Sequence, residues 1–581
     1  MIHPSNLLNT LREILKTKEV DGFLIPMSDP FQNEMIPDHF NRIRFLTGFT
    51  GSAGMVLVTP QQAFLITDGR YTVQARQEVN PDFFTVIEGG IAQLEQTIRS
   101  LNFPNLRLGF DPWTVTENLY HSLKKLPVSW IYLVDNPVDF LWDARPPLPF
   151  KEITIHDESF AGVSSSAKRR TIAKSLKNQG LDAFLCTTGD TICWLLNIRG
   201  GDIFETPVPL SYAFFHTDES VDFFVDLGKI SSSVRDFLGE DVRLHSLDRM
   251  NEFFPYLKIV GFDPKTTPVA LVEKLQQESR VAIDDPCLMP KACKNSVEQK
   301  GAIDCHKIDG LAVTKFLYWI DQQDHLEEIE ASLKLGSFRT GGLHYKGPSF
   351  ETISAVGPNG ALCHYRPKAG QSRTFEKGDL YLIDSGGQYL NGTTDVTRTV
   401  VWKGTPTQTQ KNHYTLVLKG HIALAMARFP KGTTGLQLDS LARQYLWSQG
   451  LNYAHGTGHG VGSYLSVHES PPSISPRAAS IPLSPGMILS NEPGYYLEGH
   501  YGIRLENLML VKDSKEFPGF LEFETLTLAP FDGRLIDNSL LSENEKVWVK
   551  EYHKKIMTIF EQQLTQPEQH WLKKIIECDN V

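Results

Sequence analysis

The chain holds 581 residues, 41% apolar and 22% charged, with a formal net charge of −11 at pH 7 and a pI near 5.9. That length exceeds one ordinary hydrophobic core and divides into about three or four domains of soluble globular composition. The acidic balance excludes a nucleic-acid partner that needs a basic face, and seven irregularly spaced cysteines with no CxxC pair exclude a thiolate metal site or a disulfide framework.

In chain order, residues 2–16 carry charges at amphipathic spacing and lack the apolar core of a signal peptide. A helix over Leu7–Leu15 precedes an apolar strand at Asp21-Gly-Phe-Leu-Ile-Pro26, with further strands at 54–59, 63–67, 83–88 and 106–110. Arg145-Pro-Pro-Leu-Pro-Phe150 is a stiff linker, because adjacent prolines continue neither helix nor ladder. Residues 151–295 then repeat the first unit. Val20-Asp-Gly-Phe-Leu24 returns as Leu181-Asp-Ala-Phe-Leu185, and Leu108-Gly-Phe-Asp111-Pro112 as Val260-Gly-Phe-Asp263-Pro264. Two matches in the same order mark a duplicated α/β domain. Neither copy groups catalytic residues, so both read as structural or gating modules. Ser296-Val-Glu-Gln299 has capping-box form and opens a helix through Leu317. Further helices are predicted over about 326–335, 408–429, 436–447 and beyond Ser542. The last carries Trp548, Tyr552, Phe560 and Trp571, which read as packing or subunit contacts. No stretch reaches the roughly eighteen apolar residues of a spanning helix, and the polar ending Glu577-Cys-Asp-Asn-Val581 argues against a lipid anchor. A reducing, cytoplasmic setting is expected by elimination.

The chemistry-bearing stretch runs from Asp384 to Glu506. Asp384 ends an apolar run, where a charge needs a partner, and Asp395 lies beyond a Gly-Gly…Asn-Gly turn region, so a hairpin would bring the two together. Taken alone, Asp395 reads as a turn aspartate. His455-Gly-Thr-Gly-His459-Gly-Val-Gly462 has the i, i+4 spacing of an HExxH helix, but four glycines disfavour a helix and no Glu follows His455. Val461 stands where a dinucleotide loop needs its third glycine. The alternating glycines suit a loop or strand whose backbone approaches a ligand closely. A lone histidine is usually structural; three among these glycines, counting His468, favour chemistry. Glu492 precedes Pro493-Gly494, and Arg504 and Glu506 are expected on one face of one strand. Four carboxylates at close range demand a cation. With one imidazole they form an oxygen-rich set suited to divalent ions of the manganese kind. Two ions sharing an activated hydroxide would satisfy all of them, as in a two-metal hydrolase.

The ordered set Asp384, Asp395, His459, Glu492, Glu506 resembles the five ligands of the pita-bread metallopeptidases, a family that includes methionyl aminopeptidase, prolidase and aminopeptidase P. His364-Tyr365, the 455–462 stretch, His468-Glu469, Asn491-Glu492-Pro-Gly-Tyr-Tyr496 and Ile503-Arg504-Leu-Glu506-Asn507 are similar to its proline-specific branch. Two creatinase-type domains before the catalytic unit, and the tail Trp548-Val-Lys-Glu-Tyr-His553, resemble aminopeptidase P of the eukaryotic cytosolic type. The resemblance implies a mixed α/β (α+β) fold, with creatinase-like domains over 1–148 and 149–295. A pita-bread catalytic domain with a C-terminal helical extension would cover 296–581. It implies hydrolysis of the N-terminal Xaa-Pro bond of peptides with proline second, in a homodimer that binds neither nucleic acid nor membrane. Asp384 would bind one ion, His459 and Glu492 the other, and Asp395 and Glu506 both; manganese is the branch's usual metal. Residue types alone leave cobalt, zinc and iron open. A hydroxide between the ions would attack the scissile carbonyl while Glu492 shuttles the proton. His364 and His468 would contact substrate and oxyanion, and His455 would line the proline pocket. Tyr496 and Arg504 would support the ligands or touch substrate. Two alternatives stand beside this reading, a prolidase confined to Xaa-Pro dipeptides and a non-catalytic pita-bread binding module. Prolidases usually carry one N-terminal domain, and a binding module has no use for five ligands in register.

Overall fold

The structure, a computed structural model, describes residues 4–101, 103 and 105–576; Cys578 and the polar ending lie outside them. The chain forms two compact units, Met1–His156 with Val163–Leu288, and Asp157–Gly162 with Met289–Val581. Among the described residues no cysteine is paired and no helix is long and apolar enough to cross a membrane.

In the first unit helix α1 (Pro4–Thr17) buries Leu7, Leu8, Leu11 and Leu15, the face that its apolar spacing creates. Strands β1 (Gly22–Pro26), β2 (Met55–Val58), β3 (Ala63–Thr67), β4 (Thr85–Glu88), β5 (Arg107–Phe110) and β6 (Ser129–Tyr132) form one sheet in the order β4-β3-β2-β1-β5-β6. Strands β7 (Ala183–Cys186), β8 (Ser211–His216), β9 (Val221–Val225), β10 (Val242–His245), β11 (Val260–Phe262) and β12 (Arg280–Ala282) form a second, in the order β10-β9-β8-β7-β11-β12. The two orders correspond strand for strand. So do the directions: β1–β2 and β2–β3 are antiparallel like β7–β8 and β8–β9, and the remaining steps are parallel. The repeated sequences fall on equivalent strands, the first pair on β1 and β7, the second on β5 and β11. Asp111 and Asp263 follow those strands, buried, and each accepts the backbone N–H two residues on, from Trp113 at 2.9 Å and Lys265 at 2.8 Å. That side-chain turn explains why Asp-Pro recurs in both copies.

The second unit opens with α2 (Ser296–Gln322). Its cap is Asn295 rather than Ser296: Asn295 Oδ1 accepts from Val297 and Glu298 N–H, and the Glu298 carboxylate accepts Asn295 N–H in return. Next come α3 (Glu328–Thr340), which runs five residues past the expected end, and the antiparallel sheet β13 (Ile353–Val356), β14 (Leu380–Ser385) and β15 (Val396–Val401), with β14 central. Helix α4 (Gln408–Ala425) stops short of the predicted Phe429, because β16 (Arg428–Pro430) takes over and Pro430 cannot continue a helix. Then follow α5 (Gly435–Trp447), β17 (Gly458–Gly460), β18 (Glu469–Ile474), β19 (Ile488–Asn491), β20 (Gly494–Leu497), β21 (Tyr501–Arg504), β22 (Asn507–Asp513), β23 (Phe520–Thr525), α6 (Glu543–Phe560) and α7 (Gln566–Ile576). A wholly antiparallel sheet runs β16-β23-β22-β19-β17-β18, while β20 and β21 form a separate hairpin.

Every residue of β14 and β15 is buried, which accounts for the unbroken apolar run before Asp384. Tyr381 and Ile383 join the main core with Phe316, Tyr414 and Ile556, whereas Leu382 faces a small cluster with Ile353 and Ala355. The tail aromatics Tyr552, Phe560 and Trp571 belong to that same core.

Candidate metal centre

All five carboxylate and imidazole positions lie in the second unit, on or beside its strands. Asp384 sits near the end of β14, opposite Thr397 of β15, and Asp395 immediately precedes β15, so the expected hairpin pairing is present. His459 is the middle residue of β17. That strand is squeezed between β18 and β19: a Cβ on Gly458 would stand 2.0 Å from the Ser490 carbonyl oxygen, and one on Gly460 2.3 Å from that of Glu469. Only glycines fit on either side of His459. Glu492 follows β19, its N–H donating to Thr457 O at 2.8 Å.

Arg504 and Glu506 do not share one strand. Arg504 ends β21, and the chain breaks at Leu505 and Glu506 before β22 begins. There Leu505 N–H donates to Pro493 O and Glu506 N–H to Thr397 O, at 3.2 and 3.1 Å, which replaces a continuous ladder by contacts to two other segments.

Asp395, His459 and Glu506 offer ligand atoms within 4.8 Å of one another. His459 Nε2 lies 3.5 Å from Asp395 Oδ2 and 3.5 Å from Glu492 Oε1. Its Nδ1–H is committed to Gly460 O at 2.9 Å, so Nε2 carries the lone pair and faces the carboxylates. Thr397 Oγ1 donates to Glu506 Oε2 at 2.7 Å, and Ser490 Oγ to Glu492 Oε1 at 3.1 Å. Asp384 Oδ1, Asp395 Oδ1 and Glu506 Oε1 are buried and find no hydrogen-bond partner among the described residues. Burial, then the neighbouring Asp384 and Glu492, pushes the Asp395 carboxyl well above its ordinary range. Burial, then Asp395, Glu492 and Asp384, does the same to Glu506. Orphaned anionic oxygens around a free imidazole lone pair have the chemistry of a divalent-cation site, and the donor set fits such an ion.

Arg504 caps one side. It donates to Asp384 Oδ2 at 2.5 Å, to Tyr496 OH at 2.6 Å and to Thr397 Oγ1 at 3.2 Å. Burial works against its charge, but Tyr496, Asp384 and Glu492 outweigh that and raise its pKa. Tyr496 accepts from Arg504, which leaves its own O–H for His455 Nε2 at 2.8 Å. His455 Nδ1–H goes to Gly456 O, 2.7 Å away and on the side where Glu492 Oε2 stands at 4.0 Å. The His468 ring meets that of His459 edge-on, centroids 4.3 Å apart. His364 is half-buried in the turn after the 3₁₀ helix Gly357–Ala361. That helix abuts β21, for a Cβ on Gly360 would stand 2.9 Å from Gly502 N.

Residues 302–513 match the model of metallopeptidase family M24, residues 8–136 and 144–298 each match a creatinase/prolidase N-terminal domain, and 519–578 match the C-terminal region of peptidase M24. Aminopeptidase P1 of Arabidopsis thaliana is 36% identical over 99% of both chains. The chain belongs to metallopeptidase family M24. Among solved structures, the X-prolyl aminopeptidase of Caenorhabditis elegans, described as a cytosolic enzyme with a di-nuclear active site, superposes with a TM-score of 0.94. It is 32% identical and covers 99% of this chain and all of its own. A prolidase of Pyrococcus horikoshii, 25% identical with a TM-score of 0.51, spans 63% of this chain and 99% of its own, leaving over a third here without a counterpart. Within this M24 site Thr397 and Ser490 escaped the sequence reading. Each stands two residues from a carboxylate, Asp395 and Glu492, and that period of two on an extended chain is the signal that marks them.

Proposed function

We propose that this M24 chain is an Xaa-Pro aminopeptidase, releasing the first residue of peptides with proline in second position. Asp384, Asp395, His459, Glu492 and Glu506 would hold two divalent ions. Bound there, the ions supply Lewis-acid chemistry, activating water and polarising a carbonyl. That oxygen-rich set with one nitrogen suits manganese as well as cobalt, zinc or iron, and family resemblance favours manganese among them. The observation that carries this reading is the gathering of two buried carboxylates, Asp395 and Glu506, each with an oxygen that finds no hydrogen-bond partner, around the His459 imidazole lone pair.

The chain's own groups fit the remaining tasks. The Glu492 side chain is 18% exposed and is the most open of the four carboxylates, which supports its reading as the group that would pass a proton to the departing proline nitrogen. Arg504 and Tyr496 hold Asp384 and His455 in place, and His455 would border the proline ring. His468, against His459, and His364, in its turn beside β21, would face the substrate carbonyl and its oxyanion. The Xaa-Pro nitrogen has no N–H and proline fixes its own φ. A site that binds the peptide's free end and encloses the ring suits such a bond better than one gripping an extended backbone.

A cytosolic setting and a homodimer belong to the same proposal. The former is supported by the cytosolic Caenorhabditis elegans neighbour, the latter by family resemblance alone. The deciding experiment refills metal-free protein with manganese, cobalt or zinc and compares Xaa-Pro with Xaa-Pro-Yaa peptides. Release of Xaa from the tripeptides, fastest with manganese, is expected. Hydrolysis confined to dipeptides would transfer the assignment to prolidase.

A further inference from the structure

Glu469 belongs to none of the ligand positions, yet it is among the most enclosed charges of the second unit. Its side chain and those of Lys291 and Lys294 are each 1% exposed. Lys291 Nζ donates to Oε2 at 3.3 Å and Lys294 Nζ to Oε1, so one buried carboxylate is gripped at both oxygens. A buried carboxylate held by two ammoniums has little freedom, since any other rotamer strands three charges away from water. Lys294 is itself fixed at both ends: its N–H donates to Gly486 O at 3.0 Å and its carbonyl accepts from Gln299 at 2.6 Å.

The backbone of Glu469 is the first residue of β18 and pairs with Gly460, the residue after His459. His468 stands in the bend immediately before that strand, one peptide unit from the clamped residue, and its ring meets the edge of His459. Anchoring Glu469 by both side chain and backbone therefore fixes the point at which the His468 backbone enters the site.

We propose that Glu469, clamped by Lys291 and Lys294, is a positioning residue that acts through His468. The inference rests on the peptidase reading for its kinetic consequence, though not for its geometry. Neutralising Glu469 frees β18 at its start and lets the His468 ring drift, and a drift of about 1 Å at such a site lowers turnover about 10²-fold. The bonds of Glu469 and Lys294 described above run to each other, Lys291, Gly486 and Gln299 and to none of the five ligand positions, so metal content should stay constant.

Five proteins test this, each loaded with manganese: the parent, Glu469→Gln, Lys294→Met/Glu469→Gln, His468→Ala and the combination of the last two. Glu469→Gln strands two ammoniums and risks misfolding. The double variant removes one charge of each sign and keeps the balance. It should lower kcat on an Xaa-Pro-Yaa peptide about 10- to 100-fold with KM nearly unchanged. Placed in the His468→Ala background it should add less than about threefold, because the two act as one unit. Independently of activity, the His468 resonance in histidine-selective ¹³C NMR of the zinc-loaded proteins, where no paramagnetic ion broadens it, assigned by its loss in His468→Ala, should move in the double variant. An unmoved resonance, effects that multiply with His468→Ala, or loss of metal together with Glu469 each overturn the proposal. If the parent does not cleave the peptide, the peptidase reading fails, and the resonance still decides the positioning role.

Discussion

Asp395 sits where the centre's like charges meet. Its carboxyl is pushed well above the ordinary range in the folded chain by burial and by Asp384 and Glu492. A raised carboxyl favours folding below its unfolded value of about 4 and opposes it as pH rises through the folded value. At pH 7.5 the metal-free protein therefore carries a penalty that Asp395→Asn removes, and its melting temperature should rise. With manganese bound the same substitution deletes a ligand, so melting should fall and turnover drop about 10³-fold. Differential scanning fluorimetry in both states checks the crossover, and a metal-free Tm that falls would contradict it. Arg504 uses three separate N–H groups on Asp384, Tyr496 and Thr397. One ammonium cannot reproduce that fork, so Arg504→Lys should lower kcat about 10²-fold; a loss under threefold would show the fork to be dispensable. The five ligand-type residues were legible because their motifs are long and ordered. Thr397 and Ser490 were not, because hydroxyl residues in strands are common and reveal a role only once the strand's facing partner is known.

At the scale of elements, β17 decides whether His459 reaches the carboxylates. Gly458→Ala would place a methyl 2.0 Å from Ser490 O, and a strand held on both sides cannot step aside. The substitution should destabilise the protein by about 2–3 kcal/mol and weaken manganese binding. Urea unfolding and metal titration measure both, and parent-like values would show that β17 has slack. The glycine alternation before and after His459 was readable as a close-approach strand. The break at Leu505 and Glu506 was not: the apolar positions 503 and 505 give way to 508 and 510 across Asn507, a change of parity that by itself fixes no break. It arises from a tertiary contact, Glu506 N–H on Thr397 O, that no local pattern encodes. The capping box slipped by one residue for a simpler reason: Asn295 is as good a cap as Ser296, and it is Asn295 whose partner three residues on is Glu298.

Across the whole molecule, two repeated stretches were enough to foretell two sheets of identical order, since each marks a strand and the turn after it. The antiparallel order of the catalytic sheet was beyond reach. It pairs β16 with β23, nearly a hundred residues on, and such pairings leave no trace in local spacing. Global stability carries its own pH signature. His421 donates Nδ1–H to Leu505 O and accepts from Asn507 at Nε2, and His553 Nε2 accepts from Phe531 N–H. Burial above all, with Arg398 nearby, pushes both rings down to about 3. Above the unfolded value of about 6.5 neither affects stability; below it the unfolded chain gains protons that the folded rings refuse. Stability should fall between pH 6.5 and 3 with about 1.4 kcal/mol per pH unit from each ring. Denaturant midpoints at pH 7, 6 and 5 should decline less steeply in His553→Gln, and equal slopes would contradict this assignment. The effects on turnover and on manganese binding presuppose that dications hold the acidic side chains together. Metal analysis of the purified protein after manganese loading tests that most directly. Two equivalents per chain, falling to one or fewer in Asp395→Ala, are predicted, and a parent that stays near zero despite added manganese would contradict the account.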